Sequence, residues 1–143
     1  MPIWHGDIDL DFMRERGKGT MIETLGIELV ELGEDYLTGR MPVDHRTRQP
    51  AGLLHGGASV ALAETLASLG ATFCVDRAKH ACVGQEINAN HIRSATEGWV
   101  TGVARPYHIG RSSQVWEVRI TDERDRLVCI SRVTMAVIAR QAG

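Results

Sequence analysis

The longest hydrophobic segment of the chain, residues 57–75, is interrupted by a single charged residue. It is rich in alanine and leucine, contains no proline and is long enough for about five turns of helix. Its apolar positions cover nearly the whole circumference of a helix, which is typical of a helix buried on most sides. The pattern therefore predicts one central helix.

Shorter runs in which polar and apolar residues alternate lie on both sides of this segment and predict β-strands. Residues 27–32 and 37–41 flank a polar turn at residues 33–35 and predict a hairpin. After the helix, short polar turns separate four further predicted strands, at residues 81–93, 99–108, 114–121 and 127–138.

Two short helical segments are predicted near the N-terminus. Asp9 occupies the N-cap position of a helix over residues 10–16, which Gly17 closes. Thr20 and Glu23 have the spacing of a capping box, so one further helical turn is expected there.

The element order β-β-α-β-β-β-β predicts an α+β fold in which residues 1–143 form one domain. A curved antiparallel sheet of about six strands, wrapped around the central helix, would bury that helix on most sides. Such a sheet keeps two edge strands, and pairing of edges across a two-fold axis is a common remedy. We therefore expect a homodimer or a dimer of dimers.

Composition argues against several classes of function. The net charge of −2 gives no basic surface for nucleic acid, and no run of lysine or arginine predicts contact with a membrane surface. The first seven residues have neither a basic n-region nor an apolar h-region, so we expect no secretory signal. The three cysteines, Cys74, Cys82 and Cys129, have no CxxC spacing. Reduced thiols of this kind indicate a cytoplasmic protein. No set of His, Cys and Asp has metal-ligand spacing, so we expect no metal and no cofactor.

Candidate chemistry lies on the central helix itself. Glu64 is an isolated carboxylate among apolar residues, which is costly unless the carboxylate is paired, hydrated or used. Ser68 follows one turn later on the same face. At the start of the helix, Gly56 and Gly57 let a ligand approach the backbone N–H groups, where the helix dipole favours developing negative charge. This combination suggests catalysis.

A family resemblance rests on five groups of residues: Met41-Pro42-Val43, then Gln49-Pro50 with Gly52-Leu53-Leu54-His55-Gly56-Gly57-Ala58, Ala61-Leu62-Ala63-Glu64-Thr65, Asn88-Ala89-Asn90-His91-Ile92-Arg93, and His108-Ile109-Gly110-Arg111 before Trp116-Glu117. In these residues the chain resembles the hotdog-fold thioesterases. The similarity is greatest to the branch that contains 4-hydroxybenzoyl-CoA, phenylacetyl-CoA-type and 1,4-dihydroxy-2-naphthoyl-CoA thioesterases. It extends over residues 25–138, most of the chain.

The resemblance implies a role for each residue near the central helix. Glu64 is the expected catalytic carboxylate, either as nucleophile on the thioester carbon or as base for a water molecule. The N–H of Gly56 is the expected oxyanion contact, with His55 and Gln49 as supporting donors to the thioester carbonyl or the leaving sulfur. Alternatively, His55 is a helix cap and Gln49 a loop residue. Ser68 either orients Glu64 or a water molecule, or only packs.

The spacing of His55 and Glu64 has a consequence for the site. The two residues are nine apart, so on one helix they would point to opposite sides. The simplest way to bring both to one thioester is to take Glu64 from one subunit and the residues around His55 from its two-fold partner. The resemblance implies the same shared site.

A second group of residues is a candidate for binding coenzyme A. His91 and Arg93 share one face of a predicted strand, and Arg111 and Ser112 lie in the turn before a later strand. Together they are candidates to hold phosphates or pantetheine, because a guanidinium binds phosphate in a forked geometry. The alternative is a solvated rim of the sheet.

These observations predict a thioesterase that hydrolyses an aryl- or medium acyl-CoA thioester to free acid and coenzyme A. The nearest alternative is release of acyl or aroyl groups from an acyl carrier protein, as in proofreading. A non-catalytic acyl-CoA-binding domain is less favoured, since a binding pocket gains nothing from a desolvated carboxylate beside the thioester. A hotdog hydratase is disfavoured because the corresponding loop has no evident Asp/His pair.

Overall fold

The computed structural model describes residues 1–141. Short helical segments precede the sheet, and one long helix interrupts the sequence of strands. The elements are α1 (Leu10–Arg14), a 3₁₀ turn (Glu15–Gly17), α2 (Met21–Thr24), β1 (Glu28–Leu32), β2 (Leu37–Pro42), α3 (Gly56–Cys74), β3 (His80–His91), β4 (Trp99–Ile109), β5 (Ser113–Thr121) and β6 (Leu127–Ala139).

The six strands form one antiparallel sheet in the order β1-β2-β4-β5-β6-β3. Helix α3 packs against this sheet and contacts β2, β3, β4, β5 and β6. The predicted α+β hotdog arrangement, with an antiparallel sheet around one central helix, is therefore confirmed. Among the described residues, α3 is also the one helix with the length and hydropathy of a membrane span. Burial against five strands accounts for that composition.

Glycines allow α3 to lie close to the sheet. A Cβ atom on Gly39 or Gly102 would stand 2.6 or 2.8 Å from the side chain of Leu66. A Cβ atom on Gly70 would stand 2.7 Å from the ring of Trp116, which is fully buried. Larger residues at these positions would push the helix away from the strands and open cavities in the core.

Buried polar groups fix the C-terminal half of α3 against β5. The indole N–H of Trp116 donates to Oε1 of Gln114 at 2.8 Å, and the amide nitrogen of Gln114 donates to the carbonyl of Ala71 at 3.4 Å. Gln114 is fully buried, and this chain of bonds satisfies its side chain.

The predicted boundaries agree closely with the structure. Helix α3 begins and ends one residue earlier than predicted, and the helix predicted over residues 10–16 ends at Arg14 and continues as a 3₁₀ turn. Both predicted N-caps form: Asp9 accepts from the N–H of Phe12 at 2.8 Å, and Thr20 accepts from the N–H of Ile22 at 3.2 Å.

Strand β3 is an edge of the sheet. It pairs with β6, and its other edge has no partner strand among residues 1–141. The register shifts between Gly84 and Glu86, which form a bulge in the middle of the strand. An exposed edge strand is a natural position for pairing with a second chain.

Candidate active site

The carboxylate of Glu64 lies in a cleft of about 540 Å³ between α3, the N-terminal helical segments and β3. Oxygen Oε2 of Glu64 lies against the backbone of Gly84, where a Cβ atom would stand only 2.9 Å away. Among residues 1–141, no cation forms an ion pair with this half-buried carboxylate. Glu64 is therefore held in place by packing, with its oxygens facing the cleft.

Ser68 lines the same cleft, one helical turn after Glu64. Its hydroxyl lies 3.7 Å from the sulfur of Met135 on β6, to which it donates a weak hydrogen bond. The predicted role of Ser68 in orienting Glu64 or a water molecule stays a prediction.

A separate pocket of about 300 Å³ lies at the N-terminal end of α3. It is lined by four of the residues that the sequence singled out: Gln49, Gly56, His91 and Arg93. Gln49 lies in the loop before α3, and Gly56 lies at the start of the helix. His91 lies at the end of β3, and Arg93 lies in the turn after it.

The first turn of α3 leaves one backbone donor free. The ring Nδ1 of His55 caps the helix by accepting from the N–H of Gly57 at 2.7 Å. The carbonyl of His55 accepts from Ala58 and Ser59 at 2.9 and 3.2 Å. The N–H of Gly56 has no acceptor among residues 1–141. This N–H is available to a ligand at the positive end of the helix dipole.

Two polar side chains lie beside this free N–H. A Cβ atom on residue 56 would stand 2.9 Å from Nε2 of His91, so only glycine allows the imidazole to approach so closely. The side-chain oxygen of Gln49 accepts from the N–H of Ala51, which leaves its NH₂ group to donate into the pocket that Gln49 lines.

The capping bond of His55 also determines its tautomer. Because Nδ1 accepts a hydrogen bond, the proton of the neutral ring is assigned to Nε2. The exposed imidazole is thus both a helix cap, one of the alternatives from the sequence, and a potential N–H donor.

Within one chain, the carboxylate and the free N–H open into different spaces. Glu64 lines the larger cleft and Gly56 lines the pocket at the helix start. Their separation of eight residues corresponds to about 12 Å along the helix axis. One thioester carbonyl cannot contact both groups of the same chain.

The four predicted coenzyme A residues also divide into two pairs. Arg111 and Ser112 lie in the turn that precedes β5, and Ser113 pairs with Ala136 near one end of β6. His91 pairs with Cys129 near the other end of that strand. Seven residues of strand correspond to about 23 Å. One chain therefore does not bring Arg111 and Ser112 to His91 and Arg93.

The three free thiols are poorly suited to nucleophilic catalysis. Burial raises the pKa of Cys74 to about 12, with nearby Cys82 as a smaller cause. Burial also raises the pKa of Cys82, which lines the Glu64 cleft, and that of Cys129. A protonated thiol is a weak nucleophile. In the part of the chain described here, no group of three or more His, Cys, Asp or Glu side chains is placed to hold a metal ion.

Three residues that help to shape the Glu64 cleft were not predicted from the sequence as part of the site. They are Gly84, Arg16 and Ile22. The role of Gly84 could have been predicted, because a glycine inside a strand pattern indicates a bulge or a close approach of the backbone. Both occur at this position. Arg16 and Ile22 belong to short N-terminal segments whose packing no sequence period reveals.

Comparison with known proteins gives matches over nearly the whole chain. The model of the family described as Thioesterase superfamily matches residues 51–129, more than half of the chain. The 1,4-dihydroxy-2-naphthoyl-CoA hydrolase of Escherichia coli K12 is 48% identical over 136 residues, which are 95% of this chain and 99% of that protein. The proofreading thioesterase EntH of Cronobacter turicensis is 49% identical over 136 residues, 95% of this chain and 98% of that protein. Among solved structures, a mutant thioesterase from Pseudomonas aeruginosa, 44% identical, superposes with a TM-score of 0.94 and covers 96% of this chain and 99% of that one.

Proposed function

This chain belongs to the thioesterase superfamily and is a thioester hydrolase, and from that basis we propose that it hydrolyses aryl- or medium acyl-CoA thioesters with Glu64 as the catalytic carboxylate. The observation that carries the proposal is the position of Glu64, which faces a cleft of about 540 Å³ with no ion-pair partner among residues 1–141. A carboxylate left unpaired in a partly apolar cleft is typical of a functional group.

Two routes remain open for Glu64. As a base, it takes a proton from water while the water oxygen attacks the thioester carbon; the C–S bond then breaks and the departing sulfur takes a proton. As a nucleophile, its oxygen attacks the same carbon, and the sulfur leaves from an acyl-enzyme anhydride that water hydrolyses. Both routes give the free acid and coenzyme A, and both place negative charge on the carbonyl oxygen.

The pocket at the start of α3 has the donors for that oxygen. The free N–H of Gly56 supports a role as oxyanion contact, because a preorganised backbone donor stabilises charge where it develops. The NH₂ group of Gln49 and the Nε2–H of His55 are further donors near the helix start. Converging N–H donors of this kind suit a thioester carbonyl.

We propose that two chains share each site. The edge of β3 has no partner strand within residues 1–141. Gly84, against which Glu64 packs, lies in the middle of this edge, and His91, whose ring lies against Gly56, lies at its end. Antiparallel pairing of β3 with a second β3, centred between Ile87 and Asn88, would place Gly84 of one chain opposite His91 of the other. The carboxylate cleft of one subunit would then meet the donor pocket of its partner.

The same pairing would bring together the two pairs of predicted coenzyme A residues, which lie far apart within one chain. Because antiparallel strands run in opposite directions, the end of β6 beside the Arg111–Ser112 turn in one chain approaches the end of β3 in the other, where His91 and then Arg93 lie. The two arginines would then serve one phosphate-bearing ligand from two subunits.

A second candidate substrate is an acyl or aroyl group on a carrier protein. The relative EntH is named as a proofreading thioesterase. At the C-terminal end of α3, the guanidinium groups of Arg16 and Arg77 lie 5.7 and 4.6 Å from the ring centre of Phe73, and Nε of Arg140 donates to the carbonyl of Arg77 at 2.8 Å. Arg16 also lines the Glu64 cleft, so these three arginines support docking of an acidic partner at its mouth.

The test is a steady-state comparison of wild-type protein with Glu64→Gln on benzoyl-CoA, straight-chain acyl-CoA and the same acyl groups on a carrier protein. We expect kcat to fall at least about a hundredfold with KM little changed, because the carboxylate acts mainly in the transition state. Glu34→Gln, the same change in the exposed β1–β2 turn, is the matched control and should behave as wild type. Survival of turnover in Glu64→Gln would refute the proposal.

A further inference from the structure

A smaller pocket of about 190 Å³ adjoins the Glu64 cleft, and we name it the tail pocket. Its inner wall is formed by Met13, Ile27 and Leu29, which are 0, 7 and 5% exposed. Ile22 and Leu69 line both the tail pocket and the Glu64 cleft. The two spaces are therefore neighbours, with these two side chains as the wall between them.

The tail pocket is suited to an uncharged, apolar occupant. Its charged residues lie at the rim, and three of them are already paired: Arg14 with Asp11 at 3.0 Å, Lys18 with Glu15 at 3.0 Å, and Glu28 with Arg40 at 2.8 Å. A second anionic or cationic group would have to compete with these pairs. The buried surface behind them is aliphatic and favours a hydrocarbon.

Ile22 is the adjustable half of the wall. Leu69 belongs to the long central helix, whereas Ile22 belongs to the four-residue helix α2. Gly17 lies directly against Ile22, so that a Cβ atom on residue 17 would stand 3.1 Å from its Cγ2. The position of the Ile22 side chain therefore depends on the absence of a side chain at residue 17.

We propose that Ile22 is a specificity-determining residue that sets the upper limit of acyl length, and that the tail pocket accepts the distal end of a longer acyl chain when residue 22 is smaller. The proposal rests on the proposed function, since it takes the Glu64 cleft as the site of the thioester. In the wild-type protein, Ile22 ends the apolar part of the cleft, which suits aryl groups and medium acyl chains.

Two readouts test this inference on the purified protein. The first is kcat/KM for a series of thioesters from butyryl-CoA to dodecanoyl-CoA, with benzoyl-CoA as reference. The second is the affinity for S-alkyl coenzyme A thioethers of the same lengths, which lack the carbonyl and cannot be hydrolysed. Binding of the thioethers reports on the tail pocket even when turnover is absent.

Three variants should differ in how kcat/KM depends on acyl length. Ile22→Ala should raise the dodecanoyl-to-hexanoyl ratio of kcat/KM at least about tenfold, the lower end of what a methylene contributes in an apolar pocket. Because the ratio compares two substrates of the same variant, a general loss of activity cancels. Gly17→Ala should lower the same ratio, because the new methyl group presses Ile22 toward the cleft. Ile22→Leu, which keeps the side-chain volume, should resemble wild type.

An unchanged length profile in Ile22→Ala, for both thioesters and thioethers, would overturn the inference. If Ile22→Ala fails to fold, Gly17→Ala decides: it must shift the profile toward shorter chains, and an unchanged profile overturns the inference. If the wild-type protein hydrolyses none of the thioesters, the proposed function fails. The dependence of thioether affinity on chain length then still shows whether the tail pocket binds the distal end of a longer chain.

Discussion

The carboxylate of Glu64 lies against the backbone of Gly84, across the boundary between helix and sheet. A Cβ atom on residue 84 would stand 2.9 Å from Oε2 and 3.3 Å from the carboxyl carbon of Glu64. Gly84 also lies at the bulge of β3. Because the backbone of this edge strand forms one wall around the carboxylate, the strand and the proposed catalytic group are positioned together.

Gly84→Ala should therefore lower kcat by moving the carboxylate. The backbone at Gly84 is not in the left-handed region, so alanine is tolerated by the chain itself and the effect comes from the contact with Glu64. We expect a loss of about tenfold or more, since a small misplacement of a catalytic group has large effects on rate. The measurement is steady-state kinetics, with the assembly state verified by light scattering.

Two controls give this prediction its specificity. Val83→Ala, one residue earlier on the exposed side of β3, should leave kcat near the wild-type value. The double variant Gly84→Ala/Glu64→Gln should be no slower than Glu64→Gln alone, because residue 84 acts through the carboxylate. A further loss in the double variant would show that Gly84 has another role.

A shared site should be recoverable by mixing two inactive proteins. Glu64→Ala and Gln49→Ala damage the two halves that the structure places in different spaces. When equal amounts are unfolded and reassembled, half of the dimers are mixed and each mixed dimer has one intact site. Activity should return to about one quarter of wild type. Absence of recovery in verified mixed dimers would exclude a site shared between chains.

His55→Asn should separate capping from catalysis. Asparagine is a good N-cap, so the helix start and the melting temperature should be preserved. The imidazole Nε2–H is lost, and we expect kcat to fall by about a hundredfold if this donor assists the thioester carbonyl. His55→Ala should lose the cap as well and melt at a lower temperature. An Asn variant with full activity would leave His55 with the capping role alone.

The thiol of Cys74 should be nearly inert in the native protein. Its pKa is raised to about 12 by burial, so at pH 8 the thiolate fraction is roughly a thousandfold below that of an ordinary cysteine. Alkylation followed by mass spectrometry should therefore modify Cys74 only after unfolding. Because the folded protein favours the protonated thiol, this group contributes stability below the pKa of the unfolded thiol, and the contribution is lost as the pH rises toward 12. Rapid native labelling at pH 8 would contradict the assignment.

The secondary-structure elements and the proposed catalytic carboxylate could both be predicted from the sequence. The apolar segment predicted α3 to within one residue at each end, because a helix buried on most sides needs that composition. The alternation of side chains gave all six strands, and cap residues gave both N-terminal helices. Glu64 was recognisable because a charge in such a segment is costly unless it has a use.

Which of the candidate residues meet depends on the folded chain and could not be predicted from the sequence. The spacing of His91 and Gly56 along the chain does not reveal that they touch, nor that Arg111 lies far from Arg93, because strand order and register set those distances. The wall that Ile22 forms beside the Glu64 cleft likewise depends on how short N-terminal helices pack on α3. The periodicity of hydrophobic residues predicts which face of a helix or strand is buried. Which element packs against that face depends on the long-range packing of the whole chain.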